Sequence, residues 1–211
     1  MTDATVRDLE KSLRSSGRKG PAPVHLWNPP YCGEIGLRIA ADGTWYYQDS
    51  PIGRKTLVKL YASVLRHDDD GRHYLVTPVE KIGIEVEDAP FLAVGMSVQG
   101  EGQEQTLSFR TNVDDAVTAG PDHPMRFEFD QENNGLKPYL HVRGRLEALV
   151  TRALTYDLVA LALEAQIDGE PHLGIWSASQ FFPICATGSG PTFRSGEIAP
   201  ISEEIKPQEK G

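Results

Sequence analysis

The chain has 211 residues, 39% of them hydrophobic, which suits one sizeable domain or two small lobes around a core. A net charge of −9 argues against a nucleic-acid backbone or an anionic membrane surface as the main partner, although acidity also serves plain solubility. Cys32 and Cys185 form no CxxC or Cys/His cluster, so neither a disulfide framework nor a structural zinc site is expected. Residues 1–20 lack the apolar run of a signal peptide, and no stretch approaches the roughly eighteen apolar residues of a membrane span. The expected location is the cytoplasm.

Taken in order, residues 1–20 carry Arg7, Lys11, Arg14, Arg18 and Lys19 among Ser and Gly. Val6, Leu9 and Leu13 are spaced for one weak helix over 4–14, and 15–23 reads as a linker. Ile35, Leu37 and Ile39 alternate as in a half-buried strand. Asp42-Gly43 signals a hairpin, and Trp45 and Tyr47 continue on the return strand. Ser50 predicts an N-cap with Pro51 at the first helical position. Leu57, Leu60, Tyr61, Val64 and Leu65 then form the stripe of an amphipathic helix. Asp68-Asp69-Asp70-Gly71 ends that helix, and Tyr74-Leu75-Val76 opens a strand.

Residues 79–130 read mostly as strands. Ile82, Ile84 and Val86 alternate, as do Leu92, Val94, Met96 and Val98, then Leu107 and Phe109, and finally Met125, Phe127 and Phe129. A long loop is expected from Asn112 to Pro124, and a turn at Asn133-Asn134-Gly135. A strand runs to Val150, and Thr151 caps a second helix with Leu154, Leu158, Leu161, Ala162 and Ala165 as its buried stripe. Asp168-Gly169 ends it, and Leu173 to Ile184 returns as a strand. The tail from about Ala186 is rich in Gly, Ser, Pro and Glu and reads as flexible. The organisation is therefore a basic, poorly ordered segment over 1–20, a smaller α+β lobe over 21–78, a larger lobe over 79–185 and a tail over 186–211.

Residues 34–65 and 135–166 are related without gaps by an offset of 101. Strand parity, a turn glycine (Gly43 and Gly144), an N-cap (Ser50 and Thr151) and an LVxL pattern (Leu57-Val58-x-Leu60 and Leu158-Val159-x-Leu161) agree at once. This predicts a duplicated strand-hairpin, helix and strand unit, with mostly antiparallel sheets. Duplication creates a junction between lobes, where small ligands tend to bind.

DGTWYYQDSPIGR (42–54), LVTPVEKIGIEVEDAPF (75–91), FRTN (109–112) and PYLHVRGRLEALVTRALTYDLV (138–159) resemble the bacterial family catalogued as domain-of-unknown-function family 1285, DUF1285. The similarity spans roughly residues 22–184, and its combination of VTPVEK, VEDAPF and RTN is fairly specific. The resemblance implies a duplicated α+β fold whose second lobe is superficially like a pleckstrin-homology domain. It also implies a site at the lobe interface for a nucleotide-like ligand and a role in signalling linked to oxidative stress. It implies no particular reaction.

The residues themselves carry little catalytic chemistry. There is no G-x-S-x-G elbow, no Walker-type loop and no strand-linked G-x-G-x-x-G. His25, His67, His73, His123, His141 and His172 are scattered singly. Asp68-Asp69-Asp70 reads as a solvated turn rather than a cation site. No catalytic residue, metal site or cofactor is therefore assigned.

Two places remain for a ligand. Helix starts bind anions through unpaired N–H groups, and Ser50 and Thr151 mark two such starts, with Arg54 and Arg152 close behind. A cation there opposes the helix dipole unless solvent, a carboxylate or a bound phosphate compensates. The stretch between the copies crowds Thr77, Glu80, Lys81, Glu87 and Asp88, either as an exposed strand face or as a polar network between lobes. Arg110, Asn112 and Arg143 would add donors there, Arg offering a two-pronged fork for carboxylate or phosphate. Trp45, Tyr47, Tyr139 and Tyr156 read as core, with base stacking as the alternative.

Three functions compete. The first is a non-catalytic protein binding a small anionic, nucleotide-like ligand between the lobes in signalling or stress response. The second is a protein-interaction module using the second lobe and a protein partner. The third is an enzyme on a small phosphorylated metabolite, with Glu80, Glu87 or Asp88 as acid or base. Nucleic acid and membrane are not expected partners.

Overall fold

The computed structural model describes residues 21–130 and 135–187. The expected N-terminal helix, the Asn133-Asn134 turn and nearly all of the tail lie outside them. Two lobes, mostly β, carry two helices. The first lobe contains β1 (Tyr31–Ile39), β2 (Trp45–Tyr47), β3 (Ser50–Pro51), α1 (Lys55–Ser63), β4 (Leu65–His67), β5 (His73–Val76) and β6 (Lys81–Val86). Its sheet has the order β3-β2-β1-β6-β5-β4, antiparallel except for the central β1–β6 pair.

The second lobe contributes β7 (Phe91–Gln99), β8 (Thr106–Thr111), β9 (Ala116–Thr118), β10 (Met125–Phe129), β11 (Leu136–Arg143) and β12 (Leu146–Val150). These form a sheet of order β10-β11-β12-β7-β8-β9, again with one parallel pair, β7–β12. Then come α2 (Arg152–Val159) and a separate meander of β13 (Leu163–Ile167), β14 (Glu170–Ser177) and β15 (Gln180–Ala186). Because β6 is hydrogen-bonded between β1 and β5, the first sheet runs on to Val86.

Several expectations change. The first helix does not start at Ser50-Pro51. Gln48 and Asp49 both adopt positive φ (46° and 62°), the backbone of a two-residue hairpin turn. That turn folds Ser50 and Pro51 back against Tyr47 and Tyr46 as β3. The N-cap position passes to Arg54, whose side chain makes no capping bond. The helix stops at Ser63, and Leu65 opens β4 rather than closing the apolar stripe. Asp68-Asp69-Asp70-Gly71 is accordingly a turn between strands.

The second helix does have Thr151 at its N-cap position, though without a side-chain capping bond, and ends at Val159; Ala165 lies on β13. Asp168-Gly169 and Ala178-Ser179 are further positive-φ hairpin turns, so the single expected return strand is a three-stranded meander. The loop from Asn112 to Pro124 contains the short strand β9.

One apolar cluster spans both lobes. Leu37, Ile39, Trp45, Leu75 and Ile82 from the first pack in the same core as Phe91, Phe109, Leu140, Ala148 and Leu158 from the second. Each fully buried Leu or Ile stabilises the fold by roughly 1.5–3 kcal/mol relative to exposure. Trp45 and Tyr139 are core residues, whereas Tyr156 stands 65% exposed and leaves that set.

Two adjacent carboxylates anchor the link between lobes. Glu87 pairs with Arg38 and accepts the Ala41 N–H at 2.9 Å, tying the link to the first lobe. Asp88 accepts from Tyr139 Oη at 2.8 Å and from Lys137 Nζ at 3.0 Å, tying it to the second. Burial, with Asp88 next, raises the Tyr139 phenol pKa, so it stays a neutral donor.

Candidate functional site at the lobe junction

The junction begins at the β1–β2 turn. Gly43 sits at φ +77°, and a Cβ there would lie 2.9 Å from Asn112 Nδ2 and 2.9 Å from Leu92 Cδ1. Only glycine lets the first lobe's turn approach the second so closely. Asn112 is held in place by its own strand neighbour: its N–H donates to Leu92 O at 2.9 Å, and its Oδ1 accepts the Leu92 N–H at 3.1 Å.

From there α1 lies over the β8–β9 turn. Together they frame a groove of about 330 Å³, which includes Thr56, Lys59 and Ser63 from the helix, Val113 and Asp115 from the turn, and Arg143 from the end of β11. Arg143 closes the groove's floor. Its guanidinium stacks 4.8 Å from the Phe91 ring centroid, pairs with Asp115 and donates to Ala62 O at 2.8 Å. That carbonyl belongs to the last turn of α1, where backbone acceptors have no helical partner. Lys59 reaches across to Asp114, and its ammonium holds the Asp114 carboxyl below the usual carboxylate range. One cation from each lobe thus faces the groove, each matched by an aspartate of one turn.

A second, more open hollow of about 510 Å³ also lies between the lobes, lined by Arg66, His67, Asp68, Asp69, Asp70 and Arg145. Arg145 pairs with Asp69 from the opposite lobe, and the His67 Nδ1 lies 3.3 Å from Arg145 O. His67 and His73 are directly paired across β4 and β5, with rings stacked at 4.3 Å. Burial, reinforced by His67, pushes the His73 pKa down to about 4. No group of three or more His, Cys, Asp or Glu arranged for a metal ion occurs among the described residues.

The nine ligand candidates from the sequence do not converge. Arg143 lines the groove, and Asn112 lies beside it in the Gly43 contact. Arg110 is on the exposed rim, 3.4 Å from Asp114. Ser50 is exposed on β3 and Arg54 exposed at the N-cap of α1. Arg152 is exposed, its Nε 3.4 Å from Tyr156 Oη, and no residue of α2 lines either hollow.

Thr77 is buried and structural, its Oγ1 accepting the N–H groups of Val79 at 3.3 Å and Glu80 at 3.2 Å. Lys81 belongs to another cluster, 3.2 Å from Asp68 and 4.4 Å from the Tyr74 ring centroid. Burial alone would raise the Asp68 pKa, but hydrogen bonds from Arg66 and Lys81 outweigh it and hold it low. The two helix starts are not equivalent positions of the repeat. Arg54 and Thr151, the actual N-cap positions, do not correspond at the repeat offset.

Sequence reasoning missed Thr56, Lys59, Ser63, Asp114 and Asp115. One signal pointed to Lys59. Its neighbours at i−4 and i+4 are Lys55 and Ser63, so no carboxylate on its own helix serves it.

The fold and junction define a class: a two-lobed, mostly β protein with a polar groove between a helix of one lobe and a strand turn of the other. Two family models match in tandem, described as the domain of unknown function (DUF1285), N-terminal domain, over residues 22–89 and the protein of unknown function (DUF1285), C-terminal domain, over 90–184. The chain belongs to the DUF1285 family. A solved DUF1285 protein from Silicibacter pomeroyi is 47% identical, with TM-score 0.77, 85% of this chain covered and 95% of that one. Another from Shewanella baltica is 27% identical, with TM-score 0.47, covering 60% of this chain and 91% of that one. No curated protein matches.

Proposed function

We propose that the protein is a non-catalytic binding protein that takes a small anionic ligand, of the size and charge of a nucleotide or sugar phosphate, in the groove between α1 and the β8–β9 turn. The observation that carries this reading is the convergence of Lys59 from one lobe and Arg143 from the other on one groove, beside the hydroxyl-bearing Thr56 and Ser63. A groove of about 330 Å³ lies at the lower end of the range for small-ligand sites. The two aspartates occupy the places an anion would take, so a ligand phosphate exchanges with Asp114 and Asp115 for the same cations.

Ligand binding across the groove would change how the lobes are coupled, which suits a sensor in signalling or stress response in the cytoplasm. In this reading the repeated order of hairpin, helix and meander is a duplication. The second copy then accounts for the pleckstrin-like character of the second lobe.

The test is thermal unfolding with a panel of nucleoside phosphates and sugar phosphates. A ligand at a hundredfold its Kd adds about 2.7 kcal/mol, or roughly 5–10 °C for a chain of this size. Lys59→Met abolishes the shift, while Arg54→Ala and Arg152→Ala leave it intact. A flat response across the whole panel, or a shift indifferent to Lys59, refutes the reading.

A further inference from the structure

The open strand edges of the described structure are not alike. In the first sheet β3 has two residues, and β4 has three with Arg66 and His67 among them. In the second sheet β9 has three residues, and β10, which carries Arg126 and Glu128, has β15 alongside it. β15 itself contains Pro183. Short length, basic charge, proline and a covering neighbour are the usual protections of a sheet edge.

Among the described residues, β13 has none of them. It runs for five residues, Leu163-Glu164-Ala165-Gln166-Ile167, in unbroken register with β14. Among the described residues it makes no backbone hydrogen bond beyond that partner. Every second residue therefore presents its N–H and C=O outward. Leu163, Glu164 and Gln166 are exposed, while Ala165 and Ile167 are half-buried. The strand has one charge and no glycine.

We propose that β13 is a self-association edge: two copies of this chain pair β13 antiparallel to β13 about a twofold axis at Ala165, joining two three-stranded meanders into one six-stranded sheet. The sequence of the strand is self-complementary in that register alone of the nearby ones. Leu163 of each copy falls opposite Ile167 of the other, so apolar side chains cover one another on one face. Glu164 falls opposite Gln166 on the other face, where the amide donates to the carboxylate, and twofold symmetry makes that pair twice. A one-residue slip would set Glu164 against Ala165 and forfeit both matches. The buried area of a five-residue strand pair is small and the chain carries −9, so the dimer is weak and strengthens with salt.

Sedimentation velocity over a concentration series of the full chain tests this, with circular dichroism confirming that each variant is folded. Wild type shows fast monomer–dimer exchange. Q166E places two like-charged pairs across the axis and weakens the dimer roughly three- to thirtyfold, whereas Q166K replaces them with two ion pairs and tightens it by a similar factor. The double change E164K with Q166E restores association. The proposal is overturned if wild type and Q166K stay monomeric at every soluble concentration. It is also overturned if a dimer forms whose strength ignores the charge at position 166.

Discussion

Each lobe sends a hairpin turn to the other, and the two contacts are of opposite kinds. The β1–β2 turn is pressed against the second lobe, with Gly43 leaving no room for a side chain between it and Leu92 and Asn112. The β11–β12 turn reaches the first lobe through Arg145, whose partner Asp69 is 88% exposed, and Gly144 beside it has open space around it. One side of the junction is close-packed and shape-matched; the other is wet and ionic. The close-packed side is expected to carry more of the energy of lobe association, and the wet side has room to adjust. The groove proposed for the ligand opens next to the close contact, where Arg143 ties the end of α1 to the sheet of the other lobe.

Arg143 and Arg145 flank the same glycine, so they test this difference directly. Removing the Arg143 side chain leaves Asp115 and Ala62 O short of a donor and takes a cation from the Phe91 face. Arg143→Ala is expected to cost about 3 kcal/mol in urea unfolding, and lysine, lacking the planar fork, recovers little of it. Arg145→Ala, which breaks only an exposed pair, is expected to cost less than about 0.5 kcal/mol. Equal costs at the two positions would erase the distinction.

The turn glycines give the next comparison. Gly43→Ala must adopt φ +77° and also displace Leu92 or Asn112, for an expected loss of about 2–3 kcal/mol. Gly144→Ala meets the same backbone preference at φ +55° in open space and should lose about 1 kcal/mol. Because one apolar cluster joins the lobes, both losses should appear in a single cooperative transition.

Period-2 alternation made most strands legible, and Asp42-Gly43 announced its hairpin; Asp168-Gly169 follows an apolar stripe that reads as helix, which disguised its hairpin as a helix end. The turns at Gln48-Asp49 and Ala178-Ser179 were invisible because residues with side chains rarely take positive φ, and nothing local marks the exception. The first of these hid β3 and moved the helix start away from Ser50. The second, together with the early end of α2, hid the meander. The site was less legible than the fold for a related reason. Arg143 was identifiable as a donor at a strand end. Lys59, Asp114 and Asp115 meet only through the packing of α1 on a turn far away in sequence, and the repeat placed no counterpart there.

The wet side carries its own, smaller prediction. His73 has a folded pKa of about 4 against an ordinary value of 6.5, so the unfolded chain takes up the proton first. Stability from this group is therefore complete above pH 6.5, falls as the pH drops toward 4 and is level below that. A shift of this size in a dry site is worth roughly 3 kcal/mol; His73 is only partly buried, so about 1–2 kcal/mol is expected. His73→Gln removes the proton uptake, and its stability should decline less than that of wild type between pH 6.5 and 4. His67→Gln, which removes the neighbouring charge but leaves His73 buried, should keep most of the slope, because burial is the larger cause. If His67→Gln flattens the profile as fully as His73→Gln, the neighbouring ring rather than burial is the larger cause of the His73 shift, and the wet side is more tightly coupled than its exposed ion pair indicates.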